Sequence, residues 1–322
     1  MFKLKKLSVI LLFIIFSGCV ENIITIRIHP DGRSHIQFFS KGDSLDIFNH
    51  DFIHPSSPNW RSIFTTSTNE DGDIIWEKLT DGFIASNSII SQNISDHSIG
   101  YIIESSINKN WFSTTYEFKV TFPKLLDYRG TPLLSESLLT DKMDSIQWLP
   151  EALMSIIDSA LTQLYKDTKI TLPYRQDRLS NHFKNTFAHI QSENLMDELH
   201  ADRGLFLSRI LKPFEQIDTL FISQLNTAMD PYESKLENII NLKDDQFKFR
   251  LITPGVVQST NALAISNDTL KWEFGQNEFL NKPKILEATS RIYSIIDLQK
   301  TITFGLLILL IGVGLLYQKI FK

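Results

Sequence analysis

The fold is decided by residues 112–122, which read FSTTYEFKVTF. Large side chains alternate with polar ones, so an extended strand here would have one apolar face and one polar face. The predicted apolar face consists of Phe112, Thr114, Tyr116, Phe118, Val120 and Phe122. This period of two is typical of antiparallel strands that pack one face on a core and expose the other to water. We therefore expect this face to be buried, with Phe112 included.

Strand patterns also lie upstream of this stretch. Residues 24–28, ITIRI, alternate in the same way, and Pro30-Asp31-Gly32 predicts a turn into a return strand that begins at Ile36 and Phe38. Asn108-Lys109-Asn110 predicts a tight turn before the central strand. Residues 41–72 are polar and rich in Pro, Ser and Asp, which predicts a loop.

Downstream, the hydrophobic period becomes that of helices between residues 145 and 242. Pro213 predicts a break in the apolar stretch 205–225. Asp230-Pro231-Tyr232-Glu233 predicts a helix start, because it combines an N-cap residue with a proline at the first helical position. Strand patterns return at 247–251 and 270–274, where Trp272 is expected in the core.

These patterns predict an α+β fold. Residues 19–144 and 243–293 would form one mainly antiparallel sheet, and residues 145–242 would form a helical insertion packed on it. Two separate small domains are the alternative. The single sheet is favoured because residues 294–300 leave little linker for a free C-terminal module.

The N-terminal end reads as a secretory signal over residues 1–18. Three lysines precede the short apolar run 7–16, and small residues lie just before Cys19. Residues 16–19, FSGC, resemble the lipobox of bacterial lipoproteins, and this resemblance implies that Cys19 carries the acyl chains, palmitate among them. An uncleaved signal anchor is the alternative. Cys19 is the sole cysteine, which excludes an internal disulfide and a multi-thiolate metal site.

The C-terminal end predicts a transmembrane helix over residues 301–318 and a cytoplasmic tail over 319–322. The run TITFGLLILLIGVGLLY, residues 301–317, is uncharged and about 26 Å long as a helix, close to the hydrocarbon thickness of a bilayer. Lys319 and Lys322 assign the tail to the cytoplasm by the positive-inside rule. The rest of the chain would therefore be exported across the bacterial inner membrane.

The charge balance argues against nucleic acid as a partner. The chain has 32 basic and 37 acidic residues, and five of its lysines lie in the signal and the tail. The exported part keeps 27 basic against 37 acidic residues, a net charge of −10. A chain of this sign does not dock on phosphate backbones, so attachment to the lipid bilayer would come from Cys19 and the C-terminal helix.

A resemblance follows from the order of these motifs. The lipobox cysteine, the Ile-rich strand, the turn 30–32, the late segments 253–257 and 270–274, and the closing helix together resemble the LppM-type bacterial lipoproteins. The resemblance implies a β-rich envelope domain with a C-terminal span. It supplies no catalytic residue, and the helical block 145–242 departs from it.

Two histidine clusters are candidates for chemistry. His50, Asp51 and His54 have the spacing of a zinc-binding helix, but residues 55–58, PSSP, would end a helix at once, so a polar loop is the preferred interpretation. His182, His189, Glu193 and His200 would share one helix face, but they are too far apart along the axis for one metal ion, which favours a solvated face.

These observations predict a membrane-anchored envelope lipoprotein with a non-enzymatic role as a scaffold, a sensor or a binding module for a lipid or membrane protein. No cofactor is expected. The alternative is a membrane-tethered hydrolase with an unrecognised site, which could depend on a metal.

Overall fold

The structure is a computed structural model. It describes residues 20–48, 52, 54–69, 72–92, 100–127, 129–166, 174–189, 195, 202–266 and 268–320.

Strands from both flanking regions form two sheets. The strands, in chain order, are β1 (Glu21–Ile28), β2 (Ser34–Gly42), β3 (Trp60–Thr68), β4 (Ile74–Ile84), β5 (Ile89–Gln92), β6 (Tyr101–Lys109), β7 (Ser113–Phe122), β8 (Gln246–Ile252), β9 (Val256–Thr260), β10 (Ala264–Ser266), β11 (Thr269–Gly275) and β12 (Lys284–Tyr293). The seven-stranded sheet has the order β10-β11-β8-β1-β2-β4-β3, and the five-stranded sheet has the order β5-β6-β7-β12-β9.

The predicted α+β class is confirmed, with N- and C-terminal strands combined in both sheets rather than in one. β8 joins β1 as a parallel neighbour, whereas β12 pairs with β7 in antiparallel register. An alternating sequence identifies the buried face of a strand, but it does not identify the sheet to which the strand belongs.

The two sheets pack face to face, and aromatic rings fill the space between them. Ring centroids are 5.6 Å apart for Phe38 and Tyr101, and 5.9 Å apart for Phe118 and Phe249. The predicted apolar face from Tyr116 to Phe122 is buried, and so is Trp272. The predicted face fails at the start of the strand: Phe112 is 42% exposed, because β7 begins one residue later, and Thr114 is only half-buried, whereas Ser113 and Thr115 are buried.

The predicted loop 41–72 contains regular structure instead. Helix α1 (Ser44–Phe48) and the edge strand β3 lie within it. Eight of the nine residues of β3 are exposed, and Trp60, at the start of the strand, packs against Phe38 of the core. A strand without a buried face has no reason to alternate in hydrophobicity, which is why the pattern did not reveal it.

The insertion forms a helical block that packs mainly on itself. Its helices are α2 (Pro132–Leu139), α3 (Leu149–Lys166), α4 (Gln176–Phe187), α5 (Arg203–Leu211) and α6 (Thr219–Asn241). The main helix contacts are of α3 with α4 and α6, and of α5 with α6. The prediction that these helices cover the sheet is wrong, because the apolar faces of the two sheets already cover each other.

One predicted helix start is also wrong. The break at Pro213 is confirmed, but Asp230 and Pro231 lie inside α6, which begins eleven residues earlier. The N-cap is Asp218, whose carboxylate accepts a hydrogen bond from the Phe221 amide at 2.8 Å. Asp230 and Glu233 contact the Arg203 guanidinium and so attach α5 to α6. Local capping chemistry was present in the sequence, but tertiary packing decided the boundary.

Candidate functional site

The C-terminal helix α7 (Ile295–Ile320) leaves the sandwich directly from its last strand. Residues Ile295–Gly314 have a mean hydropathy of 1.7 and none of this window is buried, so this helix is long and apolar enough to cross a membrane. It starts six residues before the predicted span. Ser294 caps it, because the Ser294 hydroxyl accepts from the Asp297 amide at 3.3 Å and donates to the Asp297 carboxylate at 2.6 Å.

The β6–β7 turn lies beside the start of this helix. The backbone amide of Ser294 donates to the carbonyl of Phe112 at 2.8 Å. The turn is closed by the Asn110 amide and the Ser113 carbonyl, also at 2.8 Å, so Trp111 and Phe112 are its two central residues. The predicted turn at residues 108–110 is therefore wrong by about two positions, since β6 continues to Lys109.

The first described residue lies at the opposite end of the sandwich. The carbonyl of Val20 accepts from the Gln246 amide at the start of β8. The neighbouring Phe247 ring lies 6.3 Å from that of Phe122, the last residue of β7. The helix start lies beside the first residue of β7, and ten strand residues span about 30 Å. Val20 and the start of α7 are therefore about 30 Å apart along the strands. Cys19 itself lies outside the described residues.

His54 lies in a loop segment, and its side chain is buried in the core. Its side chain is 3% exposed. The ring nitrogens are 2.8 Å from the Ser40 hydroxyl, for Nε2, and 2.9 Å from the Thr80 hydroxyl, for Nδ1. Both nitrogens are thus engaged with protein hydroxyls. His50 and Asp51, its predicted companions, lie outside the described residues, so a shared metal site stays a prediction without a test.

His54 belongs to a buried chain of hydrogen bonds whose direction can be assigned. The Asn22 amide nitrogen donates to the Asp245 carboxyl group at 3.1 Å. The Asn22 oxygen then accepts from the Ser40 hydroxyl at 2.5 Å. Since that hydroxyl has one proton, the Ser40 oxygen must accept from Nε2 of His54. Nδ1 is left to accept from Thr80.

Burial keeps this imidazole neutral. Removal from water lowers the pKa of His54 from 6.5 to about 3, and the positive charge of Lys78 adds to the effect. A neutral ring with one N–H donor and one acceptor is the form that the directed chain requires. The chain therefore connects strands β1, β2 and β4 in one fixed arrangement.

The sequence did contain a signal for this chain. Asn22 and Ser40 are in phase with the apolar positions of β1 and β2, and both side chains are buried. A polar residue at a core position calls for a partner, because an unpaired buried polar group is costly. The partner of Asn22, Asp245, is 223 positions away and could not be identified from the pattern.

Only His182 and His189 of the second histidine cluster lie within the described residues. Helix α4 ends at Phe187, so a single helical face from His182 to His200 is absent from the described part of the chain. His182 is half-buried and its Nε2 lies 2.8 Å from the Ile210 carbonyl, whereas His189 is exposed. Glu193 and His200 lie outside the described residues. No group of three His, Cys, Asp or Glu residues suited to a metal ion occurs among the residues that the structure describes.

Two clefts open on the surface of the described residues. One, of about 280 Å³, lies between α3 and α6 and the segment after β7, with Leu126, Ile156 and Leu236 in its wall. The other, of about 700 Å³, is an open groove on the five-stranded sheet, where Lys119 pairs with Glu287 at 3.9 Å among further carboxylates. In this groove the Ser106 hydroxyl donates to the Glu117 carboxylate at 3.0 Å, beside Lys119, whose charge is already paired with Glu287.

Comparison with known proteins adds little. No protein-family profile and no curated protein sequence matches the chain. Among solved structures, the chain is similar to the folded domain of LppM from Mycobacterium tuberculosis, determined by NMR, at 9% sequence identity. The alignment covers 87% of this chain and 94% of that one with a TM-score of 0.29. At these values the similarity supports no argument about fold or function.

Proposed function

We propose that this chain is a membrane-anchored bacterial envelope lipoprotein with a non-enzymatic role at the outer face of the inner membrane. The observation that carries the proposal is helix α7, which is apolar and solvent-exposed from residue 302 to 314 and leaves the sandwich without a linker. A soluble protein rarely exposes an apolar surface of this size. A bilayer is the environment that such a helix fits.

The orientation follows from charge. Lys319 and Lys322 follow the apolar run, and cytoplasmic flanks are enriched in lysine and arginine. The sandwich and the helical block would then lie outside the cytoplasm, which agrees with a signal sequence before Cys19.

Two anchors at opposite ends of the sandwich would fix its orientation relative to the membrane. Cys19 is bonded to Val20, and Val20 lies about 30 Å along the strands from the start of α7. Because Cys19 directly precedes Val20, no flexible polypeptide segment separates the acylated residue from the sandwich. Both anchors therefore reach one bilayer only when the strands lie along its surface. The helical block, attached at the Val20 end, would then be held in the aqueous layer next to the membrane. Its partner would be a membrane protein or a lipid rather than a soluble ligand.

The hydroxyl–imidazole contact in the core supports a structural role rather than hydrolysis. In a serine hydrolase the imidazole accepts the serine proton. Here the Ser40 hydroxyl donates to Asn22, and Nε2 of His54 acts as a donor, so this nitrogen cannot act as the base. Both side chains are also buried away from substrate.

Membrane fractionation of two variants tests the proposal. Cys19→Ala should remain in the membrane fraction, because α7 still holds the chain. Cys19→Ala combined with a stop codon after Ser294 should be released to the soluble exported fraction when residues 1–18 are replaced by a signal sequence whose cleavage does not need Cys19. Release of the single variant Cys19→Ala would contradict a membrane-spanning helix.

A further inference from the structure

The β6–β7 turn has the wrong chemistry for a turn. Two-residue hairpin loops are ordinarily polar because they face water. This one consists of Trp111 and Phe112, with the Trp111 side chain 73% exposed. Neither central residue of this turn has a positive φ, so the backbone geometry itself does not require Gly or Asn. An exposed tryptophan at a loop tip contributes nothing to the core. We therefore expect this tryptophan to contact something outside the folded domain.

The hydrogen bond from Ser294 to Phe112 determines where this turn lies relative to the membrane. The uncharged run starts at Thr301, seven residues after Ser294, which is about 10 Å along a helix. The headgroup layer adds about 5–8 Å on each side of the hydrocarbon. A tryptophan side chain that projects from the turn is long enough to reach that layer.

The residues around the turn suit the same environment. Tyr293, Ile295 and Ile296 are all exposed at the end of β12 and the start of α7. The Arg291 guanidinium lies 6.0 Å from the Tyr293 ring, and the exposed Lys109 precedes the turn. Tyrosine and tryptophan concentrate at membrane interfaces because they combine an apolar ring with a polar group. The basic side chains would face the headgroups, although the exported chain as a whole is acidic.

We propose that Trp111 and Phe112 insert into the interface of the bilayer that α7 crosses and form a third attachment point on its exported side. The proposal rests on the proposed function, because it requires α7 to span the membrane. A lipid interface is favoured over a protein partner because the turn is bonded to Ser294, only about 10 Å along the helix from the uncharged run. Together with the two anchors, this contact keeps the sandwich from turning about its strand direction, so the helical block keeps a fixed direction relative to the membrane.

Site-specific fluorescence on the full chain tests this contact. A Cys19→Ser background provides a chain without a native thiol, into which a single cysteine is introduced and labelled with the polarity-sensitive dye NBD. The test position is Trp111→Cys. The matched control is Leu205→Cys on α5, whose side chain is 70% exposed in the helical block. A second control is Leu307→Cys in the apolar run of α7. Each chain is reconstituted in vesicles of phosphatidylethanolamine and phosphatidylglycerol.

The expected result is a blue-shifted emission that is several-fold brighter at position 111 than at 205, with quenching at 111 by lipids that carry a nitroxide near the headgroup. The Leu307 probe should be quenched by nitroxides placed deep in the acyl chains. If the Leu307 probe is quenched but the probe at 111 matches the probe at 205 in water, the insertion is overturned while the span stands. If the Leu307 probe is not quenched, the proposed function itself is wrong.

Discussion

The two ends of the sandwich differ in the side chains that they bury and expose. At the Val20 end, polar groups from β1, β2 and β4 are buried and satisfy one another through Asn22, Ser40 and His54. At the end where α7 begins, the aromatic side chains Trp111 and Phe112 lie in solvent. The stability of the fold explains the buried polar groups at the Val20 end. It does not explain the exposed aromatic side chains where α7 begins, and we take these as a sign of a contact outside the folded domain.

The largest expected change in the free energy of unfolding comes from the buried face of β7, and a much smaller one is expected at its exposed beginning. Phe118→Ala removes a ring that packs on Phe249, and we expect a loss of about 3–5 kcal/mol in the free energy of unfolding. Phe112→Ala should cost less than about 0.5 kcal/mol. Urea unfolding of the detergent-solubilised chain measures both. Equal losses would mean that Phe112 belongs to the core after all.

The stability that His54 contributes at the Val20 end of the sandwich should fall at acidic pH. The pKa of His54 is about 3 in the folded chain and 6.5 when exposed, so the unfolded chain binds the proton first. Its contribution to stability is intact above about pH 6.5 and declines by roughly 1.4 kcal/mol per pH unit as the pH falls towards 3.

His54→Gln keeps a donor and an acceptor in place but cannot titrate. The difference in unfolding free energy between this variant and the unchanged chain, measured between about pH 6 and pH 4, isolates His54 from the acidic residues. A difference that does not vary with pH would show that His54 is not buried as a neutral ring.

The β1–β2 turn lies at the same end as Trp111, and we expect it to be structural. Gly32 has a φ of +88° there, and a Cβ at this position would lie 1.6 Å from Cδ1 of Ile107. Gly32→Ala should cost about 2 kcal/mol, from backbone strain and crowding together. Gly72→Ala is the control, since Gly72 has a φ of +92° and no atom near its Cβ. Thermal unfolding should rank Gly32→Ala as the more destabilised variant, and the reverse order would contradict the packing of this turn on β6.

The smallest effect is expected at the aromatic turn itself. Trp111→Ala should change the free energy of unfolding in detergent by less than about 0.5 kcal/mol, because the side chain contributes to no core contact of consequence. The same chain should lose its interfacial contact in vesicles. A loss of 2 kcal/mol or more in detergent, on the order of a buried side chain, would assign Trp111 to the fold.

The sequence allowed the α+β class, the buried face of β7 and the last apolar helix to be predicted, because each depends on a local period or composition. It did not predict the exposed edge strand β3, which has no buried face, nor the helix that continues through Pro231, where packing overrides a local capping motif. Less of the candidate site could be predicted from the sequence. The environment of His54 depends on residues of β2 and β4, and the location of Trp111 depends on a hydrogen bond to a residue 182 positions downstream of Phe112.

The central claim is that α7 crosses the membrane with the folded part outside the cytoplasm. A reporter fused after Lys322 tests it most directly, in a pair with the same reporter fused after Ser294. We predict that the fusion after Lys322 behaves as cytoplasmic and that the fusion after Ser294 behaves as exported. An exported signal from the fusion after Lys322 would contradict the account.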